Sequence, residues 1–300
     1  MEAAMDEEQA VRRIRRLSRR MKPIPTGRRP SLRILSGLRA VLFDVYGTLF
    51  ISASGDIGSA GWEARIRALG RSLRELGVAA AAGTAERAAA LLRDSITKAH
   101  GEQKARGREH PEIEIREIFA GVLERLWSEG RLARQPDRAL AEALALEYEC
   151  RINPTWPMPG LRDTLEGLRA RRLHLGIVSN AQFFTPLLFA ALLGATPERL
   201  GFDPRLCAWS YTALEAKPSV RLFAKVVGNL HESGIAAGQV LYVGNDRLND
   251  IWPASRLGFK TALFAGDSRS YRPRTGDPRL KGLEEELLIT ELLQLLEAIP

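Results

Sequence analysis

The residues able to do chemistry stand where apolar runs stop. In "AVLFDVYGTLF", Ala40 to Phe50, a strand-like run ends in Asp44, with Tyr46, Gly47 and Thr48 just behind it. "LGIVSN" ends in Ser179 and Asn180, "EAKPS" carries Lys217 before Pro218, and "YVGNDRLND" brings Asn245, Asp246, Asn249 and Asp250. A carboxylate can act as a covalent nucleophile. Thr48, Asn180 and backbone N–H groups can hold the oxygens of an anionic group in transfer, and Lys217 can neutralise its charge. Asp44, Asp246 and Asp250 would repel one another unless a cation sat among them. Their oxygens are of the type that Mg2+ prefers, with waters and substrate completing its shell.

For these groups to meet, the elements before them must run parallel. Strand-like runs fall at Ala40–Val45, Leu173–Ser179, Cys207–Tyr211, Gln239–Val243 and Thr261–Phe264. Helix-like stretches at Gly160–Arg172, Thr185–Leu193, Pro218–His231 and Ile251–Leu257 separate the later ones. Such alternation predicts an α/β fold, a doubly wound parallel sheet covered on both faces, whose strands end at one common edge. A closing helix is expected over Glu284–Ala298, with room for a short strand at Leu287–Thr290.

Between the first two strands lie far too many residues for one crossover. The Gly/Ser-rich "ISASGDIGSAG" leads into helical patterns near Trp62–Leu76, Thr84–Ala105, Glu112–Trp127 and Pro136–Tyr148. The expected organisation is therefore a basic N-terminal extension over 1–39, a core over 40–57 and 153–300, and an inserted all-α cap over 58–152. "GDIGSAG" reads as the hinge between core and cap, since it follows no complete dinucleotide-type βα unit.

The net charge of +8 is concentrated in the extension, where eleven Lys/Arg stand against four acids. No apolar stretch follows these arginines, and "MEAAMDEEQ" is too acidic for a mitochondrial presequence. Val11, Ile14, Leu17 and Met21 recur at helical spacing. A basic amphipathic helix of this kind can meet nucleic acid or an anionic membrane. The preferred reading is plainer, a helix packed weakly on its own body or a frayed tail. Two distant cysteines, Cys150 and Cys207, offer neither a disulfide framework nor a zinc site, which fits a reducing, cytoplasmic setting. No run approaches the length of a membrane span.

The order "DVYGT", "VSN", "AKP", "VGNDRLND" resembles the haloacid dehalogenase (HAD) superfamily, over about 40–57 and 153–270. The resemblance implies a Rossmann-like HAD core with a helical cap inserted between the first two motifs. It implies Asp44 as nucleophile and Lys217 as the residue that orients and neutralises the transferred group. Thr48, Ser179 and Asn180 would belong to the substrate site, and Asp44, Asp246, Asp250 and the carbonyl of Tyr46 to a Mg2+ site.

Phosphatases of this superfamily usually carry a second Asp two residues after the nucleophile, to protonate the leaving group and activate water. Tyr46 stands there instead, and a phenol titrating near ~10 is a poor base at neutral pH. Tyrosine resembles the dehalogenase branch, whose halide leaving group needs no proton. That branch resembles "SSN…D" at the fourth motif and uses no metal, whereas Asp246 and Asp250 look like a metal-type pair. Asn245 can also be aligned as the first residue of that motif. The first reading is a Mg2+-dependent phosphatase of a small phosphorylated metabolite. The alternatives are a metal-independent 2-haloacid dehalogenase-like hydrolase, a relative acting on activated substrates such as acyl phosphates, and a non-catalytic binding protein.

Two further groups sit near these motifs. His100 and His110 lie near a cap loop and read chiefly as surface residues. Arg269, Arg272 and Arg274, in "GDSRSYRPR", read as a solvated basic loop or as an entrance that attracts anions.

Overall fold

The computed structural model describes residues 5–54 and 61–300, so most of the expected "GDIGSAG" hinge lies outside the described residues. The chain opens with α1 (Glu7–Leu17), then runs extended to β1 (Ala40–Phe43) and β2 (Phe50–Ser52). The cap follows as α2 (Trp62–Glu75), α3 (Thr84–Ala105), α4 (Ile115–Ser128) and α5 (Arg138–Ile152). β3 (Thr155–Pro157) returns to the core and pairs antiparallel with β2, so a two-stranded ribbon joins the two parts. The core continues through α6 (Leu161–Ala170), β4 (His174–Ser179), α7 (Thr185–Leu193), β5 (Phe202–Trp209) and α8 (Ser210–Ala213). It finishes with α9 (Ala224–Glu232), β6 (Val240–Gly244), α10 (Trp252–Arg256), β7 (Lys260–Phe264), β8 (Leu287–Ile289) and α11 (Gln294–Ala298).

The main sheet has the order β5-β4-β1-β6-β7-β8, with every pairing parallel. β1 is central. Phe43 is level with Ile177 on one side and Val243 on the other. All four of its residues are buried, which is why it reads as a continuous apolar run rather than an alternating one. The chain leaves β1 for β4 on one side and later for β6 on the other. That reversal opens a crevice beyond the strand ends, where ligands of such sheets bind.

One face of the sheet packs Phe43, Phe189, Phe202, Leu165 and Leu295 together, and the other packs Leu42, Tyr242, Phe223 and Val226. The cap has its own core, built on Leu69, Leu73, Phe119, Leu123, Leu144 and Tyr148. Among the described residues no helix is long and apolar enough to cross a membrane.

Two expectations need revision. The closing helix expected over Glu284–Ala298 shrinks to Gln294–Ala298, and the short strand allowed for at Leu287–Thr290 forms at Leu287–Ile289, paired with β7. Burial of that strand in a sheet outweighs local helix propensity. The extension, too, is more than a weakly packed helix. Ala10 and Ile14 are fully buried, and the Arg15 side chain donates to the Ala191 and Ala190 carbonyls at 2.7 and 2.9 Å. Further on, Thr26 Oγ1 donates to the Ala265 carbonyl at 2.7 Å, and Ser31 exchanges backbone hydrogen bonds of 2.8 and 3.0 Å with Leu288. The arm is tied to the body from Ala10 to Ser31.

Candidate functional site

β1 delivers Asp44 into the crevice, and Gly47 lets the chain turn there. Gly47 has φ +83°, and a Cβ on it would collide with the Ser270 side chain. Gly244, at the end of β6, makes room in the same way for the carboxyl group of Asp250. Asp44, Ser179, Lys217, Asn245, Asp246 and Asp250 are all buried, and they gather at the C-terminal ends of β1, β4 and β6.

Lys217 is the centre of the arrangement. Its Nζ donates to Asp44 Oδ1 at 2.6 Å, to Asp250 Oδ1 at 2.5 Å and to Tyr242 Oη at 3.2 Å. Burial disfavours its charge, but Asp250 and Asp44 outweigh burial and hold its pKa well above the ordinary lysine value. Lys217 is therefore the cation that lets two buried carboxylates lie side by side. Burial pushes Asp250 up to about 7, against the lowering effect of Lys217.

Ser179 Oγ also donates to Asp44 Oδ1, at 2.9 Å. One oxygen of the Asp44 carboxylate is thus fixed by two donors, and Oδ2 has no hydrogen-bond partner among the described residues. Asn180 accepts the backbone N–H of Lys217 at 2.7 Å and so positions the lysine from the β4 side. Thr48 Oγ1 donates to Asn245 Oδ1 at 3.0 Å, and Asn245 Nδ2 donates to the Ser270 carbonyl at 2.6 Å.

The geometry departs from the expected cation site at Asp246. Its carboxylate accepts the N–H groups of Leu248 and Asn249 at 2.9 and 3.2 Å, starting the π-helical turn Arg247–Ile251. Arg274 then grips both its oxygens, with Nη2 to Oδ2 at 2.6 Å and Nε to Oδ1 at 3.1 Å. The residue facing Thr48 is Asn245, an amide. Asp250 is also committed, its Oδ2 accepting the Asp246 N–H at 2.9 Å. Among the described residues no group of three or more His, Cys, Asp or Glu is arranged to hold a metal ion. Mg2+ usually takes one or two carboxylates and keeps several waters. Of these three carboxylates only Asp44 Oδ2 is left without a hydrogen bond among the described residues, so the expected trio Asp44, Asp246 and Asp250 is not turned toward one ion; Asp44 Oδ2 and the Tyr46 carbonyl are the expected ligands that remain.

Tyr46 is engaged at the start of α7. Its Oη is 2.9 Å from Thr185 Oγ1, and burial, with the Glu149 charge, pushes the phenol well above its ordinary value. It can neither give nor take a proton readily at neutral pH.

A cavity of about 260 Å³ lies between core and cap, reached by Asn180, Ala181 and Gln182 from the core. Its cap walls are mostly apolar, with Phe119, Ile115 and Leu92, and they carry Arg65, His100, Glu112 and Glu149. Burial pushes Glu149 up to about 7 and lowers the pKa of His100. Glu112 accepts from Ser210 Oγ at 2.7 Å, and Gln182 donates to the Ile113 carbonyl at 2.9 Å. These bonds seat the cap loop on the core beside Asn180. His110 takes part through its carbonyl, which accepts the Ala216 N–H at 2.8 Å. Arg269 binds Asp267 and the Lys22 carbonyl, both at 2.7 Å, and with Arg274 on Asp246 the basic loop is tied to the core.

Sequence reasoning did not single out Tyr242, Arg65 or Glu149. Tyr242 reads as one more core aromatic of β6, and the other two sit on cap helices whose inner faces the sequence leaves unmarked.

Residues 38–270 match a family described as haloacid dehalogenase-like hydrolase. No curated protein matches the chain. Among solved structures, a 2-haloacid dehalogenase from Pseudomonas syringae pv. tomato DC3000 is 19% identical, with a TM-score of 0.54 over 87% of this chain and 97% of that one. An L-2-haloacid dehalogenase is 22% identical, with a TM-score of 0.48 over 87% of this chain and 98% of its own. A HAD-hydrolase from Bacillus subtilis, bound to magnesium, is 18% identical, with a TM-score of 0.45 over 87% and 97%. At these identities the likeness is one of fold.

Proposed function

The chain belongs to the haloacid dehalogenase-like hydrolases, and from that premise we propose that it is a metal-independent hydrolase in which Asp44 displaces a leaving anion from carbon. The observation that carries this reading is the asymmetry of the Asp44 carboxylate. Ser179 and Lys217 hold Oδ1, while Oδ2 is left to attack.

In the first step Asp44 Oδ2 forms a C–O bond to the substrate carbon, and the leaving halide departs with the electron pair of the broken bond. In the second, water adds to the Asp44 Cγ of the ester, the Cγ–O bond to the product breaks, and the carboxylate and an alcohol are released with one proton. Halide departure needs no general acid, which suits Tyr46 at the position two residues on. Lys217 and Ser179 orient the nucleophile and offset the charge on Asp44 in each step. The apolar cavity and its Arg65 suit a small acid bearing a carboxylate and a halogen on the same carbon.

The Mg2+-dependent phosphatase, which the sequence places first, becomes the second reading. The free Asp44 Oδ2, with the Tyr46 carbonyl that the resemblance assigns to the metal, is the observation that leaves it open. One paired assay separates the two. Chloride release from a 2-chloro acid in excess chelator, lost in Asp44→Asn, is the expected result. Phosphate release from an aryl phosphate that depends on Mg2+, with no halide release, would overturn it.

A further inference from the structure

Away from the crevice, the end of α1, helix α2 and the C-terminal end of α5 enclose a groove of about 450 Å³. Arg16 and Arg19 line it from the arm, Arg67 and Arg71 from the cap, and Arg151 from α5. No acidic residue lines it. Its floor is Leu17, Ala64, Ala68, Cys150 and Pro154.

The nearby carboxylates are too few to balance these charges. The buried Glu147 alone serves Arg13 at 2.7 Å, Arg151 at 2.6 Å and Arg16. Glu75 stands 3.8 Å from Arg16, and Glu63 pairs with Arg67 at 3.2 Å. Arg19 and Arg71 are exposed and have no acidic partner among the described residues. Two solvated guanidinium groups without acidic partners thus face one concavity, and guanidinium groups match phosphate oxygens in pairs.

We infer that this groove binds a polyphosphate anion, a chain of two or three phosphates, which bridges the arm to the cap. Arg19 lines the groove from the arm and Arg71 from α2, so a chain of phosphates offers oxygens to both walls where a single phosphate offers fewer. The groove is closed by three elements rather than drawn out along the surface, which favours a small anion over a nucleic-acid strand. Pro154 belongs to the segment that returns from cap to core, so the bound anion touches arm, cap and the link from cap to core at once.

The test titrates the full chain with inorganic tripolyphosphate, and separately with ATP, by calorimetry and thermal unfolding. Saturable one-to-one binding is expected, with a rise in Tm by mass action. In an Arg19→Ala/Arg71→Ala protein affinity falls by about tenfold or more, as loss of charge-assisted contacts requires, while the Tm without ligand stays the same. Equal affinity for both ligands identifies the phosphate chain as the recognised group, and tighter binding of ATP adds a contribution from the nucleoside. The inference fails if tripolyphosphate shows no saturable binding, or if the double variant binds it as well as the wild type. It fails equally if a single-stranded RNA oligonucleotide binds more tightly than tripolyphosphate and loses that affinity in the variant.

Discussion

Glu149→Gln should change how stability depends on pH, and the size of the change can be worked out. Glu149 lies buried on α5, and its pKa is raised from 4.5 to about 7 by burial, against the lowering effects of Asn153 and Arg65. A raised carboxylate value means that the fold favours the neutral form. Stability from that preference is fully present below about 4.5 and is lost as pH rises through about 7. The interval corresponds to roughly 3 kcal/mol, as an order of magnitude. Glutamine is neutral throughout and keeps an amide oxygen for Asn153 Nδ2, which now donates to Glu149 Oε1 at 3.3 Å. At pH 5 the two proteins should be nearly equal, and at pH 8 the variant should be more stable by up to about 3 kcal/mol, some 6–12 °C in Tm. Denaturant and thermal unfolding at the two pH values measure the difference. If the gap between pH 5 and pH 8 were the same in both proteins, Glu149 would be ionised without cost in the fold, and the account of the cavity wall would be wrong.

Other perturbations reach the remaining parts of the molecule. Lys217→Met leaves Asp44 and Asp250 buried without their shared cation and should cost about 3–5 kcal/mol in denaturant unfolding. Asp246→Asn should cost about 1–3 kcal/mol through the loss of a charged partner for Arg274, while turnover in excess chelator stays within a few-fold; a collapse of turnover there would restore Asp246 to the reacting site. Tyr46→Phe should lower stability by about 1 kcal/mol and keep halide release, because the hydroxyl is engaged by Thr185 and halide departure needs no proton. Ile14→Ala opens a cavity under the arm, and unfolding should show a cost of about 2–5 kcal/mol.

What the sequence disclosed and what it hid follow from how local each signal is. The run Ala40–Phe43 is apolar because the central strand is buried on both faces, so Asp44 stands out at its end. Lys217 and Asp250 were found in the same way, at the ends of neighbouring segments. Asp246 could not be told from Asn245, because the choice between them depends on Arg274, 28 residues further on. The arm was misjudged for a similar reason. Its arginines read as solvated charge, but Glu147, the carboxylate that holds Arg13, lies 134 residues away. At Leu287–Ile289 the sequence leaves room for the short strand but extends a helix across it, because the pairing with β7 that ends the helix is not a local signal.

The hydrogen bonds between Ser31 and Leu288 bear on how the protein behaves toward copies of itself. β8 is the last strand of the sheet, and such a strand offers unpaired N–H and C=O groups to any other chain. Here the chain's own N-terminal segment takes up both backbone groups of Leu288, the middle residue of that short strand. Leu35, close behind, is buried and donates its N–H to the Ala298 carbonyl at 2.8 Å. The segment thus acts as a built-in guard against edge-to-edge growth. Cleavage that releases residues 1–36 would strip it away, expose the Ile14 and Leu35 seats together with the rim of the sheet, and leave an edge open to pairing with a second chain.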